Sequence, residues 1–174
     1  RAAGMQPGDP LDPVSRMGAI VDEKQTQGIM RFVEAGKQTA NLVTGGERVT
    51  VDGKGCFVQP TIFDDVRHGD PLSRDEIFGP VLSVIAFDSE DEAVRMANDS
   101  IYGLAASVWT DNLSRACRVS ERLHVGTVSV NTVDALSAQT PFGGMKQSGF
   151  GRDLSIHSFD KYTALKTIWI QVTR

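Results

Sequence analysis

The chain is poor in the side chains that build metal sites and covalent frameworks. Only two cysteines occur, Cys56 and Cys117, and only three histidines, His68, His124 and His157. The cysteines form no Cys-x-x-Cys pair and the histidines are scattered, so zinc-ligand spacing is missing and no metal site is expected. Sparse cysteine fits a reducing compartment, and a cytoplasmic location is expected. No apolar run approaches the roughly 18–20 residues that span a bilayer, so no membrane partner is expected, and no secretory signal is visible. Basic charge is not in excess either. The formal net charge is −4, which argues against a nucleic-acid partner. Position 1 is Arg rather than Met, and further chain is expected upstream.

What is present is ordinary for a globular protein: 174 residues, of which 40% are hydrophobic and 23% charged. That is enough for one domain with a real core. No internal repeat or low-complexity tract occurs. Residues 7–13 hold three prolines and read as a connector. A helix is expected over 22–39, with Ile29, Phe32 and Val33 on one face. Residues 41–44 read as a short strand leading into Gly45-Gly46, and 57–66 as extended chain around Pro60. The run 81–87 is almost continuously apolar, as in a strand covered on both faces. Ser89 with Glu92 three residues later forms a capping-box pattern, so a helix should follow and carry Ala93, Val94, Met96 and Ala97 inward. A strand at 104–110 precedes a helix capped by Asp111 or Asn112, whose apolar side holds Leu113, Ala116, Cys117 and Leu123. A Val-rich strand at 126–131, a helix near 153–161 and a last strand at 165–172 complete the reading. Strands alternating with ten-residue helices predict an α/β fold with a mostly parallel sheet and flanking helices. Ligands on such sheets bind beyond the carboxyl ends of the strands.

Three segments carry residue types suited to chemistry. In Glu76-Ile77-Phe78-Gly79-Pro80 a carboxylate can accept hydrogen bonds from paired sugar hydroxyls, and the neighbouring ring can pack on a flat heterocycle. The same residues also suit a surface Glu and a core Phe in a turn before a strand. In 141–152 the glycines invite comparison with a phosphate loop. Gly144 and Gly149 have the spacing, but Phe150-Gly151 stands where Lys-Ser/Thr is required. A structural loop packed under a pocket, with Phe142 lining it, is the better reading. Asn131 and Asp134 follow the Val-rich strand, either as a strand-end cap and a solvated acid or as the edge of a site. Cys56 in its glycine turn and Cys117 within a helix are expected to be structural, since nothing nearby marks either as an activated thiol. Asn98 and Asn112 stand in glycosylation-type triplets, a short pattern that arises readily by chance.

Taken in order, several short motifs carry a resemblance. They are Gly8-Asp9-Pro10-Leu11-Asp12-Pro13, Gly45-Gly46, Gln59-Pro60-Thr61, the 76–81 motif, Tyr102-Gly103-Leu104-Ala105, Gly126-Thr127, Val130-Asn131, and Pro141-Phe142-Gly143-Gly144 through Ser148-Gly149 to Gly151-Arg152. The chain resembles the aldehyde dehydrogenase family over nearly its whole length. The resemblance implies the second half of that family's catalytic domain over 1–162 and an oligomerisation strand over 163–174, with Trp169 as an anchor and a homo-oligomer as the assembly. It implies NAD or NADP as cofactor, with Glu76 on the nicotinamide ribose and Phe78 beside the nicotinamide. It implies Asp134, Leu136 and Phe142 on the substrate side. The family's nucleophilic Cys, general-base Glu, oxyanion Asn and cofactor domain lie upstream of residues like 8–13. No catalytic residue is therefore expected here, nor tight cofactor binding or activity by the chain alone.

Within the family, residues 133–139 and 159–171 look most like the enzymes of amino-aldehydes, γ-glutamyl-γ-aminobutyraldehyde and betaine aldehyde dehydrogenases. Asp134 would suit a polar or cationic substrate tail, or would simply fix its loop. Superfamily relatives that reduce acyl phosphates or acyl-CoA fit less well, because the 76–80 motif is intact. A non-catalytic self-associating module is the competing reading. A piece of a larger enzyme should leave apolar strand surface exposed, whereas a self-sufficient module should carry polar residues there.

Overall fold

The computed structural model describes residues 1–133 and 135–172. Two compact units divide it, Arg1–Phe87 and Asp88–Arg174.

The first unit is organised by one long helix, α1 (Glu23–Thr39). Asp22 starts it: Oδ1 accepts from the Gln25 amide at 2.7 Å, satisfying one of the free donors of the first turn. Thr26, Ile29, Val33 and Gly36 recur at helical spacing and form its buried stripe. Four strands follow, β1 (Asn41–Thr44), β2 (Arg48–Val51), β3 (Lys54–Val58) and β4 (Thr61–Asp64), then a one-turn helix α2 (Pro71–Arg74) and strand β5 (Val81–Ser83). The core sits between α1 and β4, where Ile29, Val33, Val58, Phe63, Val66 and Leu72 cluster. Phe63 is fully buried, and its truncation to Ala would cost about 3–5 kcal/mol. Gly36 is a point of close approach between α1 and the core. A Cβ there would lie 2.7 Å from Leu72 Cδ1 and 3.0 Å from the Phe63 ring.

The second unit comprises α3 (Glu90–Asn98), β6 (Tyr102–Gly103), β7 (Ala105–Val108), α4 (Leu113–Arg122), β8 (Thr127–Val130), β9 (Met145–Lys146) and a 3-10 turn at Ile156–Lys161. Ser89 caps α3 by accepting from the Glu92 amide at 3.2 Å, and the Glu92 carboxylate accepts from the Asp88 amide at 2.8 Å. Asn112 rather than Asp111 caps α4, accepting from the Arg115 amide at 2.8 Å. Asn98 donates to the Arg122 carbonyl at 2.7 Å and accepts from the His124 amide at 2.7 Å. Both asparagines of the glycosylation-type triplets are thus committed to structure. Helices α3 and α4 are joined by charge. Glu90 meets Arg118 at 2.7 Å, Arg115 at 3.4 Å and Arg122 at 3.7 Å, and the Arg118 hydrogen bond above all holds its carboxyl below the usual range.

The described strands form four small sheets, one of three strands and three of two, rather than a mostly parallel sheet. Pairs β4–β5 and β7–β8 are parallel, while β1–β4, β2–β3 and β6–β9 are antiparallel. The β2–β3 hairpin turns on Asp52-Gly53, both with positive φ (52° and 72°), the backbone that a two-residue Asp-Gly turn demands. The run 81–87 is not covered on both faces. Val81, Ser83 and Ile85 are half-buried while Leu82, Val84 and Phe87 are 56%, 44% and 59% exposed. Ala97, Leu113 and Cys117 point outward rather than inward. The expected C-terminal strand is also corrected: residues 165–172 belong to no strand. A strand exists only through its hydrogen-bonded neighbour, and no edge among the described residues pairs with this segment.

Arg48 ties β2 to the start of α1 by gripping Glu23 with both terminal nitrogens at 2.7 Å. That grip, chiefly, lowers the Glu23 pKa from 4.5 to about 2. A carboxyl whose pKa falls on folding stabilises the fold above its unfolded value and ceases to do so as pH drops through the folded value. The tether is therefore complete above pH 4.5 and fades towards pH 2. In urea titrations across that window the unfolding midpoint should fall more steeply for the native sequence than for Glu23→Gln, and the two curves should converge at the acid end.

Candidate functional site

The sequence-predicted cofactor residues lie on the loop between α2 and β5. Its far end is fixed by β5, which runs parallel to β4 with Thr61 opposite Val81, and by the Thr61 amide donating to the Pro80 carbonyl at 2.8 Å. Its middle is fixed by α1. Gln25 Nε2 donates to the carbonyls of Ile77 and Phe78, both at 3.1 Å. Gly79 lies so close to the helix that a Cβ there would stand 2.5 Å from Ile29 Cδ1, so only glycine permits this approach. Phe78 adopts φ 55°, a left-handed conformation that costs an aromatic residue about 1–3 kcal/mol and persists only where surroundings enforce it. The outcome is a ring 72% exposed beside an exposed Glu76 carboxylate. Among the described residues no hydrogen bond or ion pair engages that carboxylate. A ring so exposed is not the core Phe in a turn that the alternative reading expected.

Of the residues expected on the substrate side, Leu136 and Phe142 lie in the second unit at a cleft of about 410 Å³. Strands β7 and β8 contribute Ala105, Ser107, Thr127 and Ser129 to it, while Leu136 and Phe142 line it from the following loop. Leu136 and Phe142 therefore meet at one cavity. Asp134 lies outside the described residues. Phe142 is held by a reciprocal backbone pair with Asp153, 2.9 and 2.7 Å, and Asp153 is itself bonded to Lys161, whose pKa that bond raises. Arg152 Nη1 donates to the Gly144 carbonyl at 2.9 Å. Glycines here serve close packing: a Cβ on Gly126 would stand 1.7 Å from the Gly143 carbonyl oxygen. The loop 141–152 packs backbone on backbone beside the cleft, with Phe142 in its lining.

Asn131 directly follows the last residue of β8. Its Oδ1 accepts from the Thr110 amide at 2.9 Å and its Nδ2 donates to the Thr110 carbonyl at 3.0 Å, clamping the ends of β7 and β8 together. Its φ is 54°, a conformation Asn tolerates better than most residues. The strand-cap reading is the correct one for this side chain. Sequence reading missed Thr127 and Ser129. Their i, i+2 spacing in a strand puts them on one face, which was the available signal. Thr127 Oγ1 is buried without a hydrogen-bond partner among the described residues.

Residues 1–168 match the model of the aldehyde dehydrogenase family. The chain belongs to the aldehyde dehydrogenase family. It is 47% identical over 172 residues to the NADP/NAD-dependent aldehyde dehydrogenase PuuC of Escherichia coli K12, covering 99% of this chain and 34% of that protein. It is 45% identical over 172 residues to a betaine aldehyde dehydrogenase of Rhizobium etli, covering 98% and 35%. Among solved structures, the γ-glutamyl-γ-aminobutyraldehyde dehydrogenase of Burkholderia cenocepacia J2315 superposes with a TM-score of 0.91 at 54% identity, over 95% of this chain and 34% of that one. The chain spans about a third of the length of these dehydrogenases.

Replacing Asn131 by Ala removes both bonds to Thr110 while leaving a left-handed residue with a Cβ. A loss of about 2 kcal/mol is expected, read as a lowered urea midpoint. Asn131→Gly should recover part of it, because glycine accepts the backbone angle.

Proposed function

We propose that this chain works as part of an NAD- or NADP-dependent aldehyde dehydrogenase that oxidises an amino-aldehyde to the carboxylic acid, and that it contributes binding walls rather than reacting groups. The observation that carries the reading is the Glu76–Phe78 pair. A strained, exposed aromatic ring beside an unengaged carboxylate suits the nicotinamide half of a dinucleotide. In this reading the Glu76 carboxylate accepts hydrogen bonds from the ribose hydroxyls, and the Phe78 ring packs beside the nicotinamide, which when bound accepts the hydride. Leu136 and Phe142 shape the apolar wall of the aldehyde site, and Asp134 favours a polar or cationic substrate tail. The relatives named for γ-glutamyl-γ-aminobutyraldehyde and betaine aldehyde support the amino-aldehyde class.

Neither cysteine suits the nucleophile's part. Cys56 spends its thiol proton on Glu23 Oε2 at 3.6 Å, and Cys117 lies in the middle of α4, away from the helix N-terminus that would activate a thiol. Leu82 in β5 and Val84 and Phe87 just after it are open to solvent, which supports a piece that packs against more protein, in preference to a self-sufficient module. We extend the reading to a cytoplasmic homo-oligomer in which 163–174 is the oligomerisation segment. Trp169, 93% exposed, would anchor it, since buried aromatics concentrate interface energy. No helix among the described residues is long and apolar enough to cross a membrane.

Two measurements test the reading. The purified 174-residue chain, given NAD and γ-aminobutyraldehyde or betaine aldehyde, should form no NADH above background; turnover that survives controls for contaminating enzyme would sink the assignment of binding walls only. In the longer protein, Glu76→Ala should raise the KM for NAD roughly tenfold or more, the scale of a lost charged hydrogen bond. Phe142→Ala should instead raise the KM for the aldehyde and leave that for NAD in place.

A further inference from the structure

Gln25 is a half-buried polar side chain in the first turn of α1 that neither the hydrophobic core nor the Glu76–Pro80 motif accounts for. Its Nε2 stands 3.1 Å from two successive carbonyl oxygens, those of Ile77 and Phe78. Both neighbours are acceptors, so the side-chain amide must present its NH2, and both of its protons are used. Two successive carbonyls converge on one donor only if the chain turns sharply between them. The turn is the positive φ of Phe78. The donor is itself fixed, because the Asp22 cap holds the Gln25 backbone amide at 2.7 Å. One turn along the same helix, Ile29 packs against Gly79, so the loop is gripped by a polar clamp and an apolar one.

We infer that Gln25 is a positioning residue that holds the 76–80 loop in its binding conformation, so that Glu76 and Phe78 face the nicotinamide half of the dinucleotide. This rests on the cofactor role proposed for those two residues. Gln25 acts through the loop, so its removal lowers the fraction of protein with a competent loop. The apparent dissociation constant for the cofactor rises by the reciprocal of that fraction, about tenfold if one molecule in ten stays competent. Asn would be too short to reach, and Glu would have the size without the donor.

The test uses the longer dehydrogenase that carries this chain. Dissociation constants for NAD and for 5′-AMP, which lacks the nicotinamide half, are measured by calorimetry. Hydrogen exchange of the amides of residues 76–79 is followed without cofactor. Gln25→Ala and Gln25→Glu should both weaken NAD roughly tenfold, leave 5′-AMP binding unchanged and speed loop exchange. Unchanged NAD affinity in both variants overturns the inference. So does recovery by Gln25→Glu, which would show that bulk alone matters, or an equal loss of 5′-AMP affinity, which would show general destabilisation. Glu76→Ala separates the two levels. If it weakens NAD while the Gln25 variants do not, the positioning role fails alone. If it leaves NAD binding intact, the cofactor role fails, and loop exchange in the Gln25 variants still reports whether Gln25 holds the loop.

Discussion

The buried stripe of α1 is the contact on which the first unit depends. Thr26, Ile29, Val33 and Gly36 face one way because they recur at helical spacing. Ile29 and Val33 enter the core against Val58 and Phe63, and Gly36 lets the helix approach closely enough for Phe63 and Leu72 to fill the space where a Cβ would stand. The same stripe then determines the loop. Ile29 abuts Gly79, and Gln25, one turn earlier, reaches the Ile77 and Phe78 carbonyls. The energy that holds Phe78 in a left-handed conformation is drawn from the core packing of the helix behind it. A change deep in that core, such as loss of the Phe63 ring, would loosen the loop without touching it.

The second unit relies on a different device, backbone packed on backbone. Gly126 sits where its amide donates to the carbonyls of Gly103 and Leu104 and where the Gly143 carbonyl leaves no room for a Cβ. This contact lets the loop after β8 fold back over the strands that floor the cleft. The reciprocal pair between Phe142 and Asp153 then sets the ring of Phe142 at its wall. Helix α4 is held less by apolar burial, since Ala116 is its one buried residue, than by the arginines that converge on Glu90.

What was legible in the sequence was mostly local. Asp22, Ser89 and Asn112 mark helix starts because a cap is a short-range hydrogen bond, and each caps as its residue type implies. The Asp52-Gly53 hairpin was equally local and was overlooked in favour of a βαβ pattern, which is why the sheet was expected to be mostly parallel. Other errors concern burial. The apolar character of 81–87 was read as coverage on both faces, but composition records what a strand is built to contact, not what this chain supplies. Cys117 and Leu113 follow the same logic on α4. The Gln25 clamp spans 52 and 53 positions of sequence, and no local pattern announces it.

The apolar strand run and the open tail point to one conclusion. Leu82, Val84 and Phe87 would each gain roughly 1.5–3 kcal/mol from full burial, and a sequence that keeps such residues on an open face is shaped by something that covers them. The tail argues likewise: Leu165, Ile168, Trp169 and Ile170 are all exposed in a segment with no strand partner among the described residues. Neither surface has a use in a free-standing chain, where both would promote aggregation. The loop of residues 76–80, by contrast, is held in its strained shape by contacts wholly within its own unit. The loop geometry is thus complete within its own unit, whereas Leu82, Val84 and Phe87 and the apolar residues of the tail stay open. This asymmetry is what the proposed reading, a chain that carries binding walls and packs against further protein, predicts.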